Sequence, residues 1–391
     1  MTIGIDASRA NRVEKTGIEW YAYHLLNAMK KITDPKDRFL LYTDEKLRDD
    51  LAQLTTGWKE KLLRWPPRKF WTQGRLSLEM LFSSPDLLFI PSHVIPVLHP
   101  KRVVLTCHDI GFERRPELYP KAELAYHRWS MRFGVHAATH IIAVSEFTKR
   151  ELIEVYGLPS EKITVIHHGY FGGAERGVTR SGDPTRAPAG PTAVGPMRSE
   201  WGAKRQDPEP WQEHPYFLYV GRIEAKKNLH LIIDAFAELK RVKKIPDAMQ
   251  LLLVGRRGYQ SEAILKAARE KGSGAIRYLP WVPSETLQEL YRNATAFLFP
   301  SLYEGFGFPL LEALSYGVPV IASDIPSLRE IGGSAPVFVA PTVDGFREAM
   351  AAVASRTPTE GERTQWKAHT TQFSWESAAK QTLTVLENAL S

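Results

Sequence analysis

The sequence is poor in cysteine and contains no long apolar run. Cys107 is the one cysteine in 391 residues, which excludes a disulfide framework and removes any reason to infer an oxidising compartment. No apolar stretch is long enough to span a bilayer. The N-terminus runs directly into residues 3–6, so we expect no signal peptide. We therefore expect a cytoplasmic protein.

The charge excess is small, and no metal motif is visible. The formal net charge is +7, which suits phosphate-bearing ligands or an anionic membrane surface. This excess is too weak and too dispersed to indicate nucleic acid. The 12 histidines follow no metal-ligand spacing. We expect no nucleic-acid partner.

Alternating strand-like and helix-like segments fill residues 1–170. Strand patterns occur at 2–6, 39–43, 87–90, 103–106, 140–144 and 163–167, and helical patterns at 17–32, 121–138 and 146–156. This alternation predicts an α/β domain with a parallel sheet covered by helices on both faces.

A second alternation fills residues 215–372, after an irregular segment. Residues 171–214 are rich in Gly, Pro, Arg, Ala and Thr and predict a linker or disordered insertion. Residues 373–391 predict a closing helix, with Ser374 as its N-cap. Two such halves indicate two Rossmann-like domains that face each other across a cleft, with ligands outside the carboxyl ends of the strands.

The most informative stretch of the sequence runs from Ser301 to Leu314. It contains Glu304 and Glu312, and it follows an apolar strand at 296–299. Its glycines allow close approach of backbone amides to a ligand, and Pro309 suits the first turn of a helix. Carboxylates at such an anion-binding turn suit the hydroxyls of a sugar or ribose. A loop with two solvated glutamates is the alternative.

A basic turn opens the second half. Gly221 and Arg222 follow a strand at 216–220, and Lys227 lies five positions beyond Arg222. Two cations at the carboxyl edge of a sheet can hold a diphosphate and stabilise the charge of a diphosphate leaving group. The alternative is a basic loop with solvated charges.

Several further residues are weaker candidates. His108 follows a buried strand and precedes Asp109, so it could touch a substrate hydroxyl, act as a general base held by the carboxylate, or simply be a satisfied histidine. Gly17 and Gly255 follow strands at positions where a loop can approach a phosphate or nucleotide. Val282 could present its backbone to the edge of a base.

Residues 64–71 mix aromatic side chains with cations. Interfacial membrane anchors have this composition, but so do ordinary surface loops. Peripheral contact of this segment with the inner membrane surface is therefore one expectation, and an ordinary surface loop is the other.

These motifs together resemble glycosyltransferase family 4, the retaining nucleotide-sugar transferases of GT-B fold. The resemblance covers nearly the whole chain outside residues 171–214. It rests on Gly221-Arg222 with Lys227-Asn228, on residues 144–149, on residues 304–312 with 317–322 behind them, and on residues 373–376. The most specific part is the pair of glutamates separated by seven residues, combined with Arg-x4-Lys.

The resemblance implies a role for each matching position. Arg222 and Lys227 would bind the donor diphosphate, and Glu312 would accept hydrogen bonds from the ribose. Glu304 would contact a hydroxyl of the donor sugar, and His108 would lie beside the reacting sugar. All of these except Glu312 form the expected catalytic set. The remaining expected donor contacts are Gly17, Gly221, Gly255, Val282, Phe306, Gly307, Phe308 and Leu310.

The resemblance also implies domain roles, a reaction, and no requirement for a metal or other cofactor. Residues 1–170 would bind the acceptor, 215–372 the nucleotide-sugar donor, and 373–391 would return to the N-terminal domain. A hexose would pass with retention to a glycan or lipid-linked acceptor, and the departing diphosphate would help to take the acceptor proton. His167-His168-Gly169, where relatives often have Asn-Gly, is typical of mannosyltransferase-type members and favours GDP-mannose over a UDP-sugar.

Three other functions remain open from the sequence. A sugar-nucleotide epimerase would share the architecture, although the paired glutamates argue against it. A glycan- or nucleotide-binding scaffold would retain the fold without catalysis. A Rossmann dehydrogenase is disfavoured, because the region after the first strand reads Asp6-Ala-Ser-Arg-Ala-Asn11 rather than Gly-x-Gly-x-x-Gly.

Overall fold

The computed structural model describes residues 1–65, 70–170 and 213–391. Its chain divides into two compact units. The first contains the described residues up to 170 together with Glu304–Phe308 and Thr371–Ser391, and the second contains 213–303 and Pro309–Thr370. Nearly all of the predicted linker at 171–214 lies outside the described residues.

A parallel sheet forms the centre of the first unit. Its strands, in chain order, are β1 (Thr2–Asp6), β2 (Arg38–Thr43), β3 (Trp58–Leu62), β4 (Leu87–Ile90), β5 (Val103–Cys107), β6 (His140–Ala143) and β7 (Ile163–Val165). Among the described residues, their order across the sheet is β3-β2-β1-β4-β5-β6-β7, and every neighbouring pair is parallel.

The helices of the first unit include one from the end of the chain. They are α1 (Gly17–Ile32), α2 (Ser77–Phe82), α3 (Gly111–Arg114), α4 (Lys121–Ala137), α5 (Glu146–Tyr156) and α13 (Trp375–Leu390). Leu25 and Met29 of α1 share one apolar core with Ala379 and Leu386 of α13. The prediction that the closing helix returns to the N-terminal domain is confirmed, and the Ser374 hydroxyl caps it by accepting from the Ser377 amide.

The second unit repeats this plan. Its strands are β8 (Tyr216–Val220), β9 (Gln250–Val254), β10 (Ile276–Leu279), β11 (Ala296–Phe299), β12 (Val320–Ser323) and β13 (Val337–Val339). Their order across the sheet, within the described part of the chain, is β10-β9-β8-β11-β12-β13, again all parallel. The helices are α6 (Leu229–Arg241), α7 (Ser261–Gly272), α8 (Ser284–Asn293), α9 (Phe308–Ser315), α10 (Pro326–Gly332), α11 (Val343–Ala354) and α12 (Glu360–Thr370).

Both sheets are buried on two faces, which explains their apolar strands. All four residues of β4 and all four of β11 are buried. Each such side chain contributes roughly 1.5–3 kcal/mol on burial, and covering both faces with helices is typical of parallel sheets. The predicted fold class, two Rossmann-like α/β domains with parallel sheets, is confirmed.

Strand order places a switch point in each sheet. The order reverses between β1 and β4 in the first unit, and between β8 and β11 in the second. Loops that leave the carboxyl ends of two such strands diverge to opposite faces and leave a crevice, where ligands bind in folds of this kind. The Arg222 turn follows β8 and the Glu304 stretch follows β11, so their sequence origins flank one switch point.

Candidate functional site

The basic turn of the second unit is built on two close glycines. Gly221 follows β8 with φ 154°, and Gly255 follows β9 with φ 141°. A Cβ on Gly255 would overlap the carbonyl oxygen of Gly221 and lie 2.7 Å from its carbon. The two loops are further joined by the Ile223 amide, which donates to the Arg256 carbonyl over 2.8 Å. Gly255 is therefore required by backbone packing, apart from any ligand contact.

Glu224 organises the cations of this turn. Its carboxylate is buried, with 9% of the side chain exposed, and lies 3.3 Å from Arg222 Nε and 3.7 Å from Lys226 Nζ. Arg222 keeps 57% of its side chain exposed. Sequence reasoning missed Glu224, because a glutamate among lysines resembles a solvated charge. In the structure it holds the Arg222 guanidinium in place without burying it.

Lys227 lies at the switch point of the second sheet. Its ammonium is 5.9 Å from the ring centre of Phe299, the last residue of β11. The Leu302 amide, just beyond, donates to the Lys226 carbonyl over 3.1 Å. The structure thus joins the turn after β8 to the loop after β11 within the second unit.

Glu312 lies on α9 and is oriented by a tyrosine. The Tyr291 hydroxyl donates to Glu312 Oε2 over 2.8 Å, and the Tyr291 ring stacks on Tyr316. Sequence reasoning missed Tyr291, which reads as an ordinary core residue of α8. Leu310, two residues before Glu312, has a fully buried side chain. Any donor contact at Leu310 would therefore come from its backbone.

The Glu304–Phe308 segment packs within the first unit. Ser145 Oγ accepts from the Thr148 amide at the start of α5 and donates to the Gly305 carbonyl over 2.7 Å. A Cβ on Gly305 would overlap the carbonyl oxygen of His108. The glycine at 305 is therefore needed for contact with this unit, which the sequence alone did not indicate.

His108 lies at the carboxyl end of β5 and is buried. Its Nε2 is 3.0 Å from the carbonyl oxygen of Pro91. A carbonyl can only accept, so Nε2 carries the proton and Nδ1 of the neutral ring is the acceptor. Burial lowers the pKa of His108, against the opposing effects of the Pro91 hydrogen bond and the Asp109 charge. His108 is therefore an uncharged hydrogen-bonding group near neutral pH.

The alternative of a general base held by Asp109 remains a prediction. Asp109 Oδ1 accepts from the Gly111 amide over 3.0 Å, and His108 Nε2 donates to the carbonyl of Pro91, just beyond β4, over 3.0 Å. Adjacent residues of an extended chain point to opposite sides, which disfavours direct contact between the two side chains.

Gly17 and the phenylalanines of the Glu304–Phe308 segment lie close together. Gly17 is the first residue of α1, and a Cβ built on it would stand 4.0 Å from a ring carbon of Phe308. Phe306 is buried and packs against Phe308, with ring centres 5.3 Å apart. The first unit therefore brings together Gly17, His108 and the segment that contains Gly307.

Val282 lies between β10 and α8 and is partly exposed beside exposed Trp281. Its predicted contact with a base remains a prediction.

The structure describes the aromatic segment at 64–71 only in part. Residues 66–69 lie outside the described residues. Trp71 is buried and its indole donates to the Leu63 carbonyl over 2.8 Å, so this ring is not available to a membrane. Phe70 is exposed. In the part of the chain that the structure describes, no helix combines the length and apolar character needed to cross a bilayer.

Comparison with known proteins identifies both halves. A family model described as Glycosyltransferase Family 4 matches residues 16–170, and one described as Glycosyl transferases group 1 matches residues 203–372. The chain is 32% identical to the O-antigen chain mannosyltransferase B of Escherichia coli over 72% of this chain and 69% of that protein. It is 26% identical to the O-antigen chain mannosyltransferase RfbU of Salmonella typhimurium, over 83% of each.

Solved structures share the fold at low sequence identity. A sucrose-phosphate synthase from Thermosynechococcus elongatus superposes with a TM-score of 0.70 at 17% identity, covering 99% of this chain and 98% of that one. HepE from Anabaena, in complex with UDP and glucose, gives 0.66 at 16% identity over 99% of this chain and 100% of that one. The fold, the two family matches and the curated relatives agree: the chain belongs to glycosyltransferase family 4, has the GT-B fold, and is a hexosyltransferase.

Proposed function

We propose that this enzyme transfers mannose from GDP-mannose, with retention, to a hydroxyl of a growing glycan or lipid-linked acceptor. The relatives named as O-antigen chain mannosyltransferases support the sugar and the polysaccharide context. The His167-His168-Gly169 sequence supports the same choice. A UDP-sugar is the alternative donor, since HepE was solved with UDP and glucose.

The observation that carries this proposal is the arrangement at the second switch point. Lys227 reaches the end of β11, and Arg222 is exposed yet oriented by buried Glu224. Two oriented cations at this edge would bind the donor diphosphate and stabilise its charge as the glycosidic bond breaks. Glu312, held by Tyr291, would accept hydrogen bonds from the ribose hydroxyls.

The first unit would supply the groups around the sugar. Glu304 would bind a donor hydroxyl, with the backbone amides of Phe306, Gly307 and Phe308 beside it. His108 would accept a hydrogen bond from the sugar through Nδ1, because Nε2 is committed to Pro91. Gly17 would allow the diphosphate to approach the start of α1.

Retention would follow from front-face displacement. The acceptor oxygen would attack from the side that the diphosphate leaves, and the departing phosphate oxygen would take the acceptor proton. His108 is uncharged and hydrogen-bonded to a backbone carbonyl, which suits binding of a hydroxyl rather than strong general-base catalysis.

The site of action would be the cytoplasm, with peripheral contact at the inner membrane surface.

A ligand screen tests the donor. Thermal unfolding is measured with UDP, GDP and ADP and with their sugars, because a ligand that binds only the folded state raises Tm. We expect GDP and GDP-mannose to raise Tm most. Selective stabilisation by UDP or ADP compounds would contradict the proposed donor.

Two substitutions test the catalytic roles. Lys227→Ala and Glu304→Gln should each lower kcat/KM for transfer by about a hundredfold or more. Matched controls are Lys266→Ala and Glu270→Gln on α7, whose side chains are 69% and 63% exposed and 3.8 Å apart. The controls should leave transfer unchanged. Full transfer by either test variant would refute the assigned roles, and conversion of the donor alone into an epimer would favour an epimerase.

A further inference from the structure

His168 is a buried histidine that the proposed reaction leaves unexplained. Only 3% of the residue is exposed, and neither ring nitrogen has a hydrogen-bond partner among the described residues. It lies just beyond β7, in the His-His-Gly sequence. Buried polar side chains usually have hydrogen-bond partners. Because none is present for His168 among the described residues, the packing of its ring is the interaction that can explain its place in the fold.

Among the described residues, three aromatic rings have their centres within 4.7 Å of the centre of the imidazole, and those of His108 and Trp375 lie farther out. The centre of the imidazole is 4.4 Å from that of Phe306, 4.7 Å from that of Phe308 and 4.5 Å from that of Tyr21. The interplanar angle with Phe308 is 25°. Aromatic rings at these distances and angles stabilise each other beyond simple area burial. Two of the three rings belong to the Glu304–Phe308 segment.

The backbone at His168 is fixed from the other side. A Cβ on the next residue, Gly169, would overlap the backbone of Trp375 at the start of α13. The Tyr170 amide donates to the Phe373 carbonyl over 2.8 Å. His168 is therefore attached to a rigid junction, and its ring extends from that junction to the segment.

The segment is consequently held at two points. Ser145 bonds to the carbonyl of Gly305, and His168 packs on the rings of Phe306 and Phe308. Glu304 immediately precedes the first of these points. Burial lowers the pKa of His168 well below its ordinary value, with the neighbouring histidines acting in the same direction, so the ring packs in its uncharged form near neutral pH.

We propose that His168 is a positioning residue for sugar transfer, and that its ring fixes the Glu304–Phe308 segment through Phe306 and Phe308. It acts through packing, not through its nitrogens. This inference rests on the proposed function for the meaning of the segment, but the packing itself can be tested without any substrate.

The first test measures amide hydrogen exchange in the free protein. His168→Ala should speed exchange of the peptide that covers residues 304–308 by about tenfold, while the peptide that covers α7 stays unchanged. His168→Phe should restore protection, because it keeps a ring. His136→Ala, on an exposed position of α4, is the control and should match the wild type.

The second test measures transfer with the donor class identified by the ligand screen. His168→Ala should lower kcat by roughly tenfold or more with a smaller change in KM, and His168→Phe should recover most of kcat. If the His168→Phe variant does not fold, the double variant His168→Ala/Phe306→Leu takes its place. The double variant should transfer the sugar no more slowly than His168→Ala alone, because both changes remove the same contact.

Two results would overturn the proposal. One is a wild-type rate of amide hydrogen exchange at residues 304–308 in the His168→Ala variant. The other is a His168→Phe variant that regains protection at these residues but does not regain kcat, which would assign the role to the ring nitrogens. Absence of transfer by the wild-type protein would refute the proposed function instead, and the exchange result would still decide whether His168 holds the segment.

Discussion

Replacing Gly305 by alanine is the sharpest test of how the Glu304–Phe308 segment is held. A Cβ at this position would overlap the carbonyl oxygen of His108, lie 2.9 Å from its carbon and lie 3.0 Å from Asp109 Cβ. The obstacles are backbone atoms at the end of a buried strand, so no side-chain rotation can relieve the overlap.

The size of the effect follows from this geometry. Unstrained contacts between heavy atoms need roughly 3.5 Å, so the segment must withdraw from His108 by about 1 Å or more. Overpacking of this kind typically costs about 1–3 kcal/mol of folding free energy. A misplacement of about 1 Å at a catalytic group can lower the rate about a hundredfold. A hundredfold rate loss corresponds to about 2.7 kcal/mol, so we expect Gly305→Ala to lower activity and folding stability by comparable free energies.

The assay combines urea unfolding with measurement of nucleoside diphosphate release. Gly361→Ala is the matched control, because a Cβ there would meet its nearest atom, Thr359 Oγ1, at 3.9 Å. Gly361 lies within α12, where alanine should stabilise by up to about 1 kcal/mol. If Gly305→Ala kept wild-type kcat and unfolding free energy, the contact between the segment and His108 would not exist in solution.

Three further predictions concern neighbouring groups. Gly17→Ala should keep the wild-type Tm, since its Cβ has room, but should raise donor KM if a phosphate approaches there; unchanged KM would contradict that role. Tyr291→Phe removes the hydrogen bond to Glu312 and should weaken GDP binding by about threefold to tenfold, seen as a smaller thermal shift. Burial lowers the pKa of His108 and His168 in the folded state. The unfolded chain, with pKa about 6.5, therefore takes up more protons as pH falls below that value. Stability should therefore fall as the pH drops below that value, with His168 contributing up to about 1.4 kcal/mol per pH unit, and His168→Phe should lower that slope in urea titrations at pH 7.5 and 5.5.

Periodicity and capping predicted most of the elements. The bounds of β1, α1, β4, α5 and β11 agree with the prediction, because each combines a clear apolar pattern with a distinct start or stop. Helix α5, for instance, begins after the Ser145 cap and ends at Gly157 in the left-handed conformation.

Some elements were not predicted. Strand β3 reads Trp-Lys-Glu-Lys-Leu and lies at the edge of its sheet. Lys59 and Glu60 are exposed there, so the strand lacks the apolar pattern of the central strands. Helix α12 buries only Trp366 and Thr370 among its described residues, so its sequence shows little of the periodic apolar pattern that predicts a helix. Strand β7 ends at Val165, two residues earlier than predicted, which places His167 and His168 in the following loop.

The candidate site was predictable in its residue types but not in its supports. Arg222, Lys227, Glu304 and Glu312 stand out by spacing. The partners that orient them depend on strand order, because β8 and β11 become neighbours although 75 residues separate Val220 from Ala296 in the chain. Contacts of this kind, such as that of Ser145 with Gly305, have no local signal.

The discontinuous first unit has a consequence for biosynthesis. Its α1 helix is synthesised well before α13, the helix that covers it. At about 5–20 residues per second, roughly 10–40 s pass between synthesis of residues 1–170 and of residues 371–391. During that interval Leu25 and Met29 lack their partners, so nascent chains need protection by chaperones, and a premature stop codon within the second unit would leave an N-terminal half that cannot finish folding.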